Sequence, residues 1–402
     1  MDHILSFHTL KSAELHQPPR VLFLRSNRKI CSFSLIANGL CNTRNIEFSQ
    51  YPPFPPESRS RLQKLSYRDI AWNNFHANLL TDAHELSEKL RSGYFDLVLL
   101  ADHDASLFSS HQRGWTWKFK TWARLLRRGK HGAFDPYRLL NSFPFSTKEL
   151  CQMIPVLVVD LTDQPYIRQA DAELLEHCQC YCKREIPYNR FVLFHALLQF
   201  RSFSRVRKDE RLQALLPKVQ SIPLGIPDDK FHKLTSFRTA TQDIDIFWAG
   251  SISNSMRATA IKLLEDFVSQ TSWNIVIAQQ PLSFQEYCQT VARSKVTISV
   301  EGGGWDCDRH YEAVALGSVP LMNKPTVDAV WWHSMPEAIF FENSFSDFTV
   351  RLEHVLQNDT LRQQCFHELD RRIREHMLWS KIIEYMINYS ATETRRHRER
   401  RR

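Results

Sequence analysis

No apolar run in the 402-residue sequence approaches the length needed to cross a bilayer, so no membrane-spanning helix is expected. The first eight residues have neither a basic flank nor an apolar core of signal-peptide length, and no secretory leader is expected. Cysteine is sparse: nine residues, odd in number and scattered, which fits a reducing cytoplasm better than a disulfide framework. Nucleic-acid fold signatures are lacking, and so is any internal repeat. Positive charge is also scarce once the end of the chain is set aside. Of the net +8, the segment 395–402 supplies +5 through six Arg and one Glu. The remaining +3 is too little for a nucleic-acid surface. The end itself, 391–402, reads as a disordered basic tail, with attachment to an anionic membrane surface as the second reading.

What is present is the composition of a globular protein, 43% hydrophobic and 24% charged, in a chain long enough for two cores. Strand-like runs alternate with helix-like ones, which predicts doubly wound α/β architecture. In the first half the runs are 21–24, 45–48, 95–100, 154–160 and 178–182, and the proline-rich 51–56 must be loop. A turn-rich stretch around 221–229 and a polar one at 235–242 mark a linker. Further strands are expected at 244–249, 273–278, 295–300 and 318–322, with a helix at 256–270 and a long amphipathic one over 360–388. The expected division is an acceptor-side domain over 1–234, a nucleotide-sugar domain over 235–390, and the tail.

The segment Glu301-Gly-Gly-Gly-Trp-Asp-Cys-Asp-Arg-His-Tyr-Glu312-Ala-Val-Ala-Leu-Gly317-Ser-Val-Pro320 is the most specific in the chain. It follows the β-branched run 295–300. Gly302, Gly303 and Gly304 allow a tight turn and close ligand approach. A helix is expected to open near Asp306 or Asp308, which puts Arg309 and Glu312 on one face. Free N–H groups beside a guanidinium suit phosphate, and a carboxylate one turn on suits a sugar hydroxyl pair. The pattern predicts a nucleoside diphosphate site, with Asp308 at its edge.

This segment resembles the donor-binding half of GT-B glycosyltransferases, nearest to exostosin-like and related group 1 sequences, over about the last 160 residues. The resemblance implies two Rossmann-like domains with an interdomain cleft and a C-terminal helix crossing back over both. It also implies a nucleotide-sugar donor, with Arg309 on the phosphates, Glu312 on the ribose, and Gly317 and Pro320 shaping the helix exit. Transfer of a sugar to a glycan, lipid-linked or protein hydroxyl follows, with neither metal nor cofactor. One departure stands out: many retaining members carry two glutamates seven residues apart, whereas ten residues separate Glu301 from Glu312.

Other residues have a functional and a structural reading side by side. Gly250 and Ser251 follow a strand and precede Arg257 and Lys262; they suit the donor diphosphate, or an ordinary capped turn. Asp102, His103 and Asp104 follow the strand 95–100 at a carboxyl end. His103 is the candidate general base, and the two aspartates are the alternative metal pair of a GT-A enzyme. Asp160 is an acceptor ligand or a turn cap, and Lys183 and Arg184 phosphate ligands or surface charges. Cys178, Cys180 and Cys182 on one strand face suit a packed core better than zinc. Trp115, Phe119, Trp122 and Leu126, with Lys120, Arg124 and Arg127, form an amphipathic pattern for a membrane interface or for plain packing. Trp305 and His310 line the donor site or fill core. A catalytically silent nucleotide- or sugar-binding protein is the rival reading from another functional class.

Overall fold

The structure, a computed structural model, describes residues 17–25, 32–51, 78–80, 82–101, 143–197 and 209–401. Two parallel sheets carry the chain. The first has the order β3-β2-β1-β4-β5-β6-β7, with β1 Arg20–Arg25, β2 Glu47–Tyr51, β3 Asn78–Leu79, β4 Leu97–Ala101, β5 Val156–Asp160, β6 Cys180–Lys183 and β7 Val219–Ser221. The second has the order β12-β11-β10-β8-β9, with β8 Ile244–Trp248, β9 Ile275–Ile277, β10 Ser294–Ile298, β11 Val319–Asn323 and β12 Phe340–Phe341. Among the described residues every strand pairing is parallel. The runs Leu-Val-Leu-Leu-Ala of β4 and Val-Leu-Val-Val-Asp of β5 are buried at every position. A sheet covered by helices on both faces leaves no position for alternation, and such strands are apolar throughout.

Two apolar clusters pack on opposite faces of the first sheet, and a third surrounds the second sheet. The expected boundary lay after residue 234. The clusters divide earlier, since Ile222 packs in the first domain while Leu224, Ile226, Phe231 and Leu234 join the second core. The helix Asp228–Thr235 therefore rides with the second sheet, on the helix Asp308–Leu316.

The end of the chain crosses back as expected, but in two pieces. The helix Asp359–Arg372 passes through a wide turn at Ile373–Met377, and Leu378 is extended, bridging Ile226. A new helix then runs Trp379–Arg401. Asp228 caps it from outside, accepting from Ser380 N–H at 3.0 Å and Ser380 hydroxyl at 2.5 Å. Trp379, Ile382, Ile383 and Met386 bury themselves in the first domain's core. The break lets one apolar stripe serve the second domain and the next serve the first. The helix continues to Arg401, where an irregular basic tail was expected. Ala, Glu and Arg favour helix, and no Gly or Pro interrupts 391–401.

Cys180 and Cys182 lie on β6 with their sulfurs 3.6 Å apart, whereas Cys178 precedes the strand and packs on the opposite core. Among the described residues no cluster of three metal-binding side chains occurs. Nor is any helix among them long and apolar enough to cross a membrane. Asp102, His103, Asp104 and the tryptophan-bearing stretch 115–127 lie outside the described residues.

Candidate functional site at the switch point of the second sheet

In chain order the second sheet runs second, first, third, fourth, fifth, so the connections leave in opposite directions from β8 and β10. Open α/β sheets bind ligands outside the carboxyl ends at such a point. The loop after β8 holds Gly250 and Ser251; the loop after β10 holds the three glycines. Between the ends of β8 and β9 and the helix Asp308–Leu316 lies a cavity of about 950 Å³. Its lining includes Gly250, Ser251, Arg257, Asp308, Arg309 and Glu312, beside an apolar wall of Trp248, Ile261, Ile277, Leu282, Phe284 and Tyr287.

Arg309 sits at the first turn of its helix, with its guanidinium 5.0 Å from the centre of the Trp248 ring. It donates from Nη1 to the Ala249 carbonyl at 2.8 Å and from Nη2 to the Val300 carbonyl at 3.4 Å. A Cβ on Gly250 would lie 2.7 Å from Nη1, so the loop passes the guanidinium only because it has no side chain there. Arg257 donates from Nε to the Glu301 carbonyl at 3.0 Å, and from Nη1 to the Ser251 carbonyl at 3.2 Å and Ser253 hydroxyl at 3.3 Å. Burial, then the neighbouring charge of Arg309, lowers the Arg257 pKa from its ordinary value. Among the described residues neither arginine has a carboxylate at ion-pair distance. The helix opens at Cys307, whose side chain caps nothing, so its first N–H groups also lack a side-chain acceptor. Two guanidiniums and a helix N-terminus thus converge on one cavity, with the Asp308 carboxylate exposed in the same first turn.

Glu312 is turned toward the back of this cavity and is nearly buried. Lys230 Nζ reaches its Oε1 at 2.6 Å and the Tyr287 hydroxyl its Oε2 at 3.0 Å. Burial pushes the carboxyl pKa up; the Lys230 charge and the hydrogen bonds of Lys230 and Tyr287 overcome this and hold it below the ordinary value. Ser251 and Asp308 are exposed on the rim. Lys262 is exposed and does not line the cavity.

Several residues that carried two readings, and the helix-opening candidate Asp306, serve the framework. Asp306 is buried and accepts from Leu224 N–H at 2.6 Å and the Tyr311 hydroxyl at 2.8 Å, tying the interdomain connection to the site helix. Trp305 and His310 are interior, with the indole donating to the Asn323 carbonyl at 2.9 Å. His310 Nε2 faces the Trp305 carbonyl at 2.8 Å, and Nδ1 faces the Ser299 hydroxyl at 2.8 Å. A carbonyl can only accept, so Nε2 carries the proton and Nδ1 accepts. Burial lowers the His310 pKa to about 4. The unfolded chain takes up this proton near pH 6.5 and the folded one only near 4, so acid favours unfolding. Urea unfolding of wild type and His310→Gln should therefore differ by roughly 3 kcal/mol less at pH 4 than at pH 7.5. A pH-independent difference would contradict this.

Asp160 likewise serves structure, accepting from Thr162 N–H at 3.0 Å, the Tyr181 hydroxyl at 2.8 Å and Lys183 at 3.1 Å. Lys183 is fully buried rather than a surface charge. Arg184 is nearly buried too, paired with Asp163 and Glu185 against the glycine loop. Glu301 accepts at Oε2 from Asn323 at 3.1 Å and Thr326 at 3.0 Å. Lys230, Tyr287, Asp163 and Glu185 were not anticipated. For Glu185 a signal existed, namely its place just beyond the carboxyl end of β6.

The chain matches no family model, and no curated protein matches it in sequence. Among solved structures, HepE of Anabaena in complex with UDP and glucose aligns over 93% of this chain and 100% of its own, at 9% identity and a TM-score of 0.42. A glycosyltransferase from Rickettsia africae aligns over 94% and 98%, at 10% identity and 0.43. The UDP-GlcNAc 2-epimerase of Methanocaldococcus jannaschii aligns over 92% and 99%, at 10% identity and 0.40.

Proposed function

We propose that the protein is a GT-B-type glycosyltransferase that moves a sugar from a nucleotide-sugar donor to an acceptor hydroxyl. One observation carries the reading. Arg257 and Arg309, both without a carboxylate partner among the described residues, meet an open helix N-terminus in a cavity of nucleotide size. Bidentate guanidiniums and backbone N–H groups match a diphosphate, and they stabilise the charge that develops as it leaves. This positive charge is built from protein groups, so transfer is proposed to run without a bound metal. The apolar wall from Trp248 to Tyr287 suits a nucleobase. Ser251 and Asp308 on the rim suit sugar or ribose hydroxyls. Each Glu312 oxygen holds one donor and keeps a second lone pair for a ribose hydroxyl.

Calorimetry with uridine, guanosine and adenosine mono- and diphosphates tests this. At least one diphosphate should bind about tenfold or more tighter than its monophosphate, since the second phosphate meets a second guanidinium. Equal affinities, or no binding by any, would remove the basis of the assignment.

A further inference from the structure

The helix Ser255–Gln270 turns one flank to the core and another to the large cavity. Ala260, Leu264 and Phe267 are buried against the second sheet. Arg257, Ile261 and Glu265 line the cavity. Their spacing of four puts them on one flank, turn after turn, over about 12 Å of helix axis. Asn254 fixes this ladder against the glycine loop. Its side chain accepts from the Arg257 N–H at 2.9 Å and donates to the Gly302 carbonyl at 2.9 Å. With a diphosphate at Arg257, the flank runs beside the rest of a nucleotide. Ile261, Ile277, Leu282 and Phe284 offer apolar surface to the rings, and Glu265 stands two turns beyond the arginine.

Glu265 has neither an ion pair nor a hydrogen bond among the described residues. Gln279 and Gln280, on the loop that follows β9, line the same cavity and are likewise unpaired among them. A few polar groups in an apolar pocket set its specificity. A carboxylate accepts and cannot donate, so it sorts nucleobases by their donors. The edge of a base remote from its ribose is the Watson–Crick edge, which an anchored nucleotide turns outward along the ladder. Guanine has two adjacent donors there, N1–H and the N2 amine, one for each carboxylate oxygen. Uracil has one, N3–H, between two carbonyl oxygens that the negative charge repels. Adenine and cytosine each set an amine beside a ring nitrogen whose lone pair would face the carboxylate.

We propose that Glu265 reads the base and makes the donor a guanosine diphosphate sugar, a proposal that rests on the transferase reading above. N1–H and the N2 amine donate to the two oxygens of Glu265. Gln279 and Gln280 supply amide N–H groups for the O6 carbonyl. The selection is as much rejection as attraction, since the same carboxylate opposes the oxygens of uracil.

Calorimetry on the full chain with GDP, inosine diphosphate, ADP, CDP and UDP tests this. GDP should bind at least about tenfold tighter than UDP, ADP or CDP, the discrimination expected of one bidentate pair. Inosine diphosphate, which lacks only the N2 amine, should fall between. Glu265→Gln should lose about tenfold for GDP and gain affinity for xanthosine diphosphate, whose C2 oxygen accepts from the new amide. Its affinity for UDP should not fall. Thermal unfolding should stay that of wild type, since the side chain is exposed. A purely structural role for Glu265 would leave the order of the bases untouched. Wild-type chain that binds UDP as tightly as GDP, or Glu265→Gln chain with the wild-type order, would overturn the proposal and leave the diphosphate site standing. Chain that binds no nucleoside diphosphate would overturn both.

Discussion

Arg309→Ala should cost most of the affinity for a nucleoside diphosphate while leaving the fold in place. The guanidinium is only partly covered, rests on Trp248, and bonds at 2.8 Å to the carbonyl of Ala249, which lines the cavity, and at 3.4 Å to that of buried Val300. Its loss takes from buried Val300 only the longer of the two bonds, so the thermal unfolding midpoint should fall modestly. The ligand loses charge-assisted bonds in a half-desolvated site, about 2–4 kcal/mol, or roughly 30- to 1,000-fold in affinity. Turnover should fall by at least as much, because the same charge meets the leaving group. Arg309→Lys should recover only part of the loss, since an ammonium keeps the charge without the fork. Calorimetry of both variants against the preferred diphosphate measures the effect. Wild-type affinity in Arg309→Ala would show that the diphosphate lies elsewhere.

Lys230→Ala should act on stability first and on binding second. Lys230 and Glu312 are both nearly buried, and the ammonium is what keeps the carboxylate charged against its burial. Removing it strands an anion in the wall of the cavity, a loss of about 3–5 kcal/mol for a broken buried pair. The double variant Lys230→Met with Glu312→Gln should recover much of this, since no uncompensated charge remains. The pH dependence follows from the lowered Glu312 pKa. Its contribution to stability is complete above the unfolded value of 4.5 and fades as pH falls through the folded one. In Lys230→Ala burial is opposed only by the Tyr287 hydrogen bond and the Arg309 charge, so the cost should shrink on acidification as the carboxyl takes up a proton. Urea titrations at pH 7 and pH 4 distinguish these cases; a single variant as stable as wild type would mean that water already screens the pair.

Much of this site could be read before any coordinates, because the relevant geometry is local. A β-branched run, three glycines and an Arg-x-x-Glu spacing lie within eighteen residues, and helical periodicity alone puts Arg309 and Glu312 on one face. The buried runs of β4 and β5 were equally plain, whereas the return of the last helix was implied by the resemblance alone. Local pattern failed where long-range partners decide a residue's role. His310 and Trp305 fit either a ligand or a core role beside a glycine loop, and Ser299 and Asn323 decide for the interior. Lys183 looks like a surface charge until Asp160, 23 positions earlier, neutralises it in the core.

The sequence by itself determined two parallel α/β units, the position of the glycine turn and the placing of Arg309 and Glu312 on one helix face, since each depends on neighbours within a few turns of chain. Tertiary structure alone decided the strand order that opens the second sheet between β8 and β10. It also decided the meeting of Lys230 with Glu312 across 82 positions, and of Asp163 with a glycine loop on another sheet. Those contacts are closed by packing of whole domains, and no periodicity in the chain records which residues that packing will bring together.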